Sequence, residues 1–186
     1  EWKNDPKSFI WIDLESEHPD VENAFLLSMD CHPLAIEDVQ RFRHPPKTEV
    51  FENYTLILYR GFTEFREDFT IEQMTIALFA GERCLISVHP RRSTGINHYW
   101  ENALTENLLI SPGLLATRVM RFSVGRYLEA LLAFEPNLNE LEDAMQDKPN
   151  DEVMRELIAY QARLRKLKRV FSYHERMLEN LRTDIP

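Results

Sequence analysis

Glycine is scarce in this chain, with five among 186 residues. Phosphate-cradling loops and the tight turn around a serine nucleophile both need clustered residues free to take unusual backbone angles, so neither motif is present and nucleotide chemistry is not expected. Cysteine is scarcer still: Cys31 and Cys84 are the two in the chain. They are too few for a disulfide framework and lack zinc-ribbon spacing, which fits a reducing cytosol. No stretch approaches 18 consecutive apolar residues, and no basic segment followed by an apolar one opens the chain. Neither a membrane span nor a signal peptide is therefore expected, and the chain as given should be soluble. Basic residues are outnumbered, 22 against 31 acidic ones, for a net charge of −9. That balance argues against a general nucleic-acid partner and is compatible with attracting cations.

What is present is ordinary globular material, 44% hydrophobic and long enough for one core, or one core plus an appendage. Residues 8–14 (SFIWIDL), 54–62 (YTLILYRGF) and 74–80 (MTIALFA) are short runs rich in β-branched and aromatic side chains and read as strands. After Gly81-Glu82-Arg83 the run CLISVHP supplies another, so residues 74–89 form a predicted hairpin with Gly81 in its turn. Helical patterns cover residues 20–29, a short segment opened by Pro33, and about residues 94–108. The expected fold class is α/β, a mixed β-sheet with helices, followed by a long antiparallel helical hairpin. The domain boundary is expected near residue 110: an α/β domain over residues 1–110 and the hairpin over residues 111–186.

The hairpin announces itself by periodicity. Ser111-Pro112 is a cap and first-turn signal, after which Met120, Val124, Tyr127, Leu131, Phe134, Leu138, Leu141 and Met145 recur at alternating spacings of four and three. That is a heptad seam. It resumes after residue 151 with Val153, Leu157, Tyr160, Leu164, Leu167, Phe171, His174, Leu178 and Leu181. The second helix would run about 45 Å for roughly 30 residues at 1.5 Å each, so the pair should project beyond the α/β body. Pro136 lies inside the first helix and should kink it. Acidic residues (Glu140, Glu142, Asp143, Asp147, Asp151, Glu152) gather at the tip, whereas residues 153–182 hold eight basic against three acidic side chains. Both clusters are read first as solvated helix faces.

The segment HPLAIEDV, residues 32–39, carries the best chemical constellation. Pro33 suits a first helical position, where its missing N–H would be unpaired anyway. At about 100° per residue, Ala35, Ile36 and Val39 share one side, and Glu37 and Asp38 point away from them. Adjacent carboxylates can serve acid–base catalysis, but no nucleophile, oxyanion donor or substrate cleft accompanies them, so an enzyme is not expected. Hard cations such as Mg²⁺ keep several waters and bind through one or two carboxylates, for which this pair is adequate. The alternative is a surface pair bonded to Arg41 or Arg43. His32, His44, His89, His98 and His174 include no i, i+4 zinc pair, a Cys31/His32/Cys84/His89 site has no diagnostic spacing, and His174 on the seam reads as a packed histidine.

HPLAIEDV, followed by PPKTEVFENYTLILYR at residues 45–60, resembles the cytoplasmic domain of the CorA family of divalent-cation transport proteins. The WIDL strand before it and the charged hairpin after it fall in the family's order, and HPPK stands where the family often has Arg-Pro-Lys. The resemblance implies a homopentameric, funnel-shaped protein of the inner membrane whose α/β/α domain, on the cytoplasmic face, senses the transported ion. It implies that the stalk and membrane helices lie outside this chain, that the family's further strands precede Trp11, and that the chain alone conducts no ions. It assigns Asp38 as a regulatory ligand of Mg²⁺ shared with an acid on a neighbouring stalk helix, with weak binding expected in this chain alone. It assigns Glu37 to a second site whose acidic partner is replaced here by Arg121, a cation that disfavours a second metal ion and is expected to pair with Glu37 instead. Co²⁺ is the alternative ion.

Three other readings remain open. A zinc (Zn²⁺) transporter of the same superfamily would share the hairpin but tends to lack HPLAIED. A freestanding soluble scaffold would use the hairpin to bind a partner protein, and a hydrolase built on Glu37 and Asp38 would need a deep cleft around them.

Overall fold

A computed structural model describes residues 8–16, 18–41, 44–65, 70–103, 111–147 and 150–184. Five strands, β1 (Ile10–Glu15), β2 (Lys47–Val50), β3 (Tyr54–Phe65), β4 (Ile71–Gly81) and β5 (Cys84–His89), form one sheet in the order β1-β5-β4-β3-β2. β1 pairs with β5 in parallel and the other pairs are antiparallel, so the sheet is mixed, as expected. The β4–β5 hairpin turns at Gly81. β2 has no counterpart among the predicted strands; four residues, KTEV, are too short for alternation alone to identify.

Successive side chains on a strand point to opposite faces, and here both faces are covered. Trp11, Ile57, Tyr59, Met74, Ile76, Leu78 and Leu85 pack on one side with Ile96, Leu115, Val119, Met120, Met177 and Leu181. These come from α3 (Thr94–Asn102), α4 (Pro112–Asp147) and α5 (Asp151–Asp184). Leu56, Leu58, Ala77, Phe79, Ile86 and Val88 pack on the other side with Leu26, Ala35 and Ile36 of α1 (Pro19–Ser28) and α2 (Pro33–Gln40). The result is the α/β/α sandwich that the family resemblance implies, on the mixed sheet read from the sequence. Two-sided burial is why β4 reads as an almost unbroken apolar run. The predicted helix over residues 94–108 is α3 as far as Asn102; residues 104–110 lie outside the described part.

The helical hairpin is antiparallel: Phe134 meets Tyr160 and Tyr127 meets Phe171, at ring-centroid distances of 4.6 and 5.7 Å, so the chain climbs on one helix and returns on the other. Ser111 starts α4, accepting from the Leu115 N–H at 3.0 Å through its carbonyl. Asn150 caps α5, its Oδ1 accepting from the N–H groups of Glu152 and Val153 at 2.9 Å each. α4 continues through Pro136, so the proline does not end it. At 1.5 Å per residue its 36 residues span about 54 Å. Beyond Tyr127 the buried residues Phe134, Leu141, Tyr160 and Leu167 pack chiefly on one another, with Phe62 and Ile71 the sheet residues of that cluster. The seam departs from expectation at its base, where Met177 is buried and Leu178 is 41% exposed. There α5 packs against the sheet as well as α4, which turns its buried face by one position.

Candidate functional site

α2 is held in place from its first residue. The imidazole Nδ1 of His32 accepts from the Leu34 N–H at 3.2 Å, a side-chain N-cap, and the His32 N–H donates to the Tyr54 hydroxyl at 2.9 Å. Pro33 follows at the first helical position. Ala35 and Ile36 are buried against the sheet, which fixes the direction of the two carboxylates that come next.

Those carboxylates meet different surroundings. Glu37 is exposed, and its Oε1 accepts from Arg41 Nη2 at 2.9 Å, one helical turn on. A pair of this kind contributes about 0.3–0.5 kcal/mol. Asp38 is not offered outward: its side chain is 16% exposed, its Oδ2 accepts from Lys47 Nζ at 2.5 Å, and its Oδ1 lies 3.1 Å from His44 Nε2. Lys47 also donates to Glu49 Oε2 at 2.6 Å. Burial alone would lower the Lys47 ammonium's pKa, but hydrogen bonds to Asp38 and Glu49 more than offset it and the net shift is upward. The cause of the departure is β2, which brings Lys47 alongside α2. Arg121 is exposed on α4, across the sheet from α2, so Glu37 bonds Arg41 and makes no pair with Arg121 within one chain.

The candidate zinc ligands are not assembled. Cys84 and His89 stand at opposite ends of the six-residue β5, five steps apart at about 3.3 Å each. The Cys31 thiol, buried beside Cys84 and Asp30, is pushed up to about 12 chiefly by desolvation, which keeps it from the thiolate form metals require. Among the described residues, no group of three or more His, Cys, Asp or Glu side chains is arranged to hold a metal ion.

His174 is a packed histidine, as its place on the seam predicted. Sequence reasoning missed a buried polar chain at the β1–β5 pair. Trp11 Nε1 donates to Ser87 Oγ at 3.0 Å, Ser87 Oγ donates to Asp13 Oδ1, and His89 Nε2 lies 3.0 Å from the same oxygen. His89 Nδ1 lies 2.7 Å from the Arg91 carbonyl. Both acceptors facing His89 need an N–H, which favours the imidazolium. Burial lowers its pKa, but the bond to Asp13 and that carboxylate's charge outweigh it and the net shift is upward. Ser and His both bond Asp here, so the hydroxyl has no base and the group is structural rather than a nucleophilic triad. The alternating polar residues of WIDLE and LISVH were the available signal.

A family model described as CorA-like Mg2+ transporter protein matches residues 6–186. YfjQ of Bacillus subtilis (strain 168) is 26% identical over 165 residues, covering 87% of this chain and 50% of that protein. The cobalt/magnesium transport protein CorA of Thermotoga maritima is 20% identical over 191 residues, covering 98% of this chain and 53% of that protein. The chain thus spans about half the length of these curated relatives. The soluble domain of CorA from Methanocaldococcus jannaschii superposes with a TM-score of 0.73 at 19% identity, over 91% of this chain and 68% of that one, a likeness of fold.

Proposed function

The chain belongs to the CorA-like Mg2+ transporter family, and on that premise we propose that it is the cytoplasmic, ion-sensing part of a divalent-cation transporter. The observation that carries the reading is the family match over residues 6–186. In this reading residues 1–110 are the sensor, residues 111–186 the helical hairpin, and the ion is Mg²⁺, with Co²⁺ as a second cargo. The parent protein is a homopentamer of the inner membrane.

Asp38 is the regulatory ligand of the proposal, with Glu37 beside it. What supports Asp38 is its setting: a carboxylate on a helix pinned at its N-cap, half-buried at the edge of the sheet and already balanced by a cation, Lys47. A hydrated Mg²⁺ held between Asp38 and an acid of a neighbouring subunit would replace the charge of Lys47 and tie the two subunits together. Loss of that ion would free their relative motion, a population shift set by the difference in ion affinity between the two states.

The test is made on the parent protein. Its reading frame, followed past Pro186, is expected to encode two apolar spans of about 20 residues, and Mg²⁺ uptake by cells expressing it is expected to fall as internal Mg²⁺ rises. Asp38→Ala should leave uptake active at high internal Mg²⁺. A frame without membrane spans overturns the transporter reading, whereas spans with unchanged feedback in Asp38→Ala overturn the role of Asp38 alone.

A further inference from the structure

A cavity of about 340 Å³ opens between the start of α1, the end of α2 and the sheet. It lies within the size range of small-molecule sites, about 300–1,000 Å³, and exceeds what a bare oxyanion needs. In a chain of net charge −9, its walls include three guanidinium groups, Arg41, Arg60 and Arg91, together with His89. They converge from α2, β3 and the segment after β5, so the fold and not a local run of basic sequence assembles them.

The groups are arranged by function within the cavity. Arg60 Nη1 donates to Thr75 Oγ1 at 2.8 Å and its Nη2 to the His44 carbonyl at 2.9 Å. Arg41 and Arg91 stand at the rim with side chains more than half exposed; each engages one nitrogen with a surface glutamate, Glu37 at 2.9 Å and Glu72 at 3.5 Å. Such exposed pairs are worth about 0–1 kcal/mol, and a guanidinium has five N–H donors, so both can turn to a dianion. Gln73 also lines the wall. Glu22, also lining the cavity, is a buried carboxyl held above its usual range mainly by desolvation. It supplies a partner for a hydroxyl or amino group.

We propose that this cavity is a binding site for a small organic phosphate, its phosphate monoester held by Arg41, Arg60 and Arg91 and its polar organic part facing Gln73 and Glu22. Planar guanidinium forks match phosphate oxygens in pairs, and the site does this with side chains where a glycine-rich loop is absent. The inference is independent of the transporter reading and of a metal at Asp38.

The test is calorimetric titration of the 186-residue chain with glycerol 3-phosphate, glucose 6-phosphate and AMP, alongside inorganic phosphate, glycerol, glucose and adenosine. At least one organic phosphate is expected to bind tenfold or more tightly than inorganic phosphate, its unphosphorylated counterpart not at all, and Arg91→Gln and Arg41→Gln each to weaken it at least tenfold. Both arginines are at the rim, so the folded state survives and circular dichroism verifies it. The proposal is overturned if none of the three phosphates binds, if none exceeds inorganic phosphate, if the unphosphorylated compound binds equally, or if both folded variants bind as the parent does.

Discussion

The backbone N–H of Arg60 on β3 donates to Nε2 of His174 on α5 at 3.1 Å. β2 pairs with β3 only as far as Leu58, so past that point the open edge of β3 is met by a histidine of the hairpin. The acceptor role requires a neutral ring. Burial, with Arg60 nearby, lowers the His174 pKa to about 4, and its buried Nδ1 has no hydrogen-bond partner among the described residues.

The sign of the resulting pH dependence is definite. A histidine depressed in the folded state favours folding fully above its unfolded pKa of about 6.5, and that contribution is lost as pH falls from there towards 4. The expected loss is about 3 kcal/mol across this window. Urea unfolding at a series of pH values measures it, and His174→Gln, which keeps an acceptor without titrating, should flatten the acid limb. An unchanged slope in that variant would show that other groups cause it.

His89 acts in the opposite direction. Its raised pKa means that the Asp13–His89 contact stabilises the fold fully below about 6.5 and is lost as pH rises through the folded value. Asp13→Asn should remove this alkaline loss, and the His89 ring resonances in NMR should then titrate at lower pH than in the parent chain. Titration at the same pH would contradict the pairing.

At Asp38 the prediction concerns competition between cations. In the 186-residue chain Mg²⁺ binding is expected to be weak, because Lys47 already holds Oδ2 at 2.5 Å. Lys47→Met should tighten it by roughly tenfold, the equivalent of removing a competing interaction of about 1.4 kcal/mol. Mg²⁺ calorimetry decides, with Asp38→Asn in the Lys47→Met background as the control that should abolish the gain.

Two glycines should respond oppositely to alanine. A Cβ on Gly95, where α3 crosses α4, would lie 1.9 Å from Ser123 Oγ and 3.2 Å from the Val119 carbonyl, so Gly95→Ala should destabilise by about 1–3 kcal/mol. Gly125 on the exposed side of α4 has nothing within 4 Å, so Gly125→Ala should stabilise by about 0.5–1 kcal/mol through helix propensity and the unfolded chain's lost freedom. Denaturant midpoints of the two variants should move in opposite directions.

Periodicity and end signals decided most of the architecture in advance. The two-sided apolar strands, Pro33 and Ser111-Pro112 at helix starts, and the four-three spacing from Met120 to Leu181 are local or repeat within a few residues, so the chain states them without help from its fold. The carboxylate pair was visible for the same reason. What tertiary structure alone decided is which groups stand next to them. Lys47 reaches Asp38 because a four-residue strand, too short to declare itself, pairs with β3. His174 finds the N–H of Arg60 114 residues away, and Met177 replaces Leu178 in the core because α5 touches the sheet there. Arg41, Arg60 and Arg91 share one cavity although no spacing in the sequence links them. Partner choice depends on contacts between distant segments, where side-chain direction and burial set the chemistry, and composition and period carry no record of those distances.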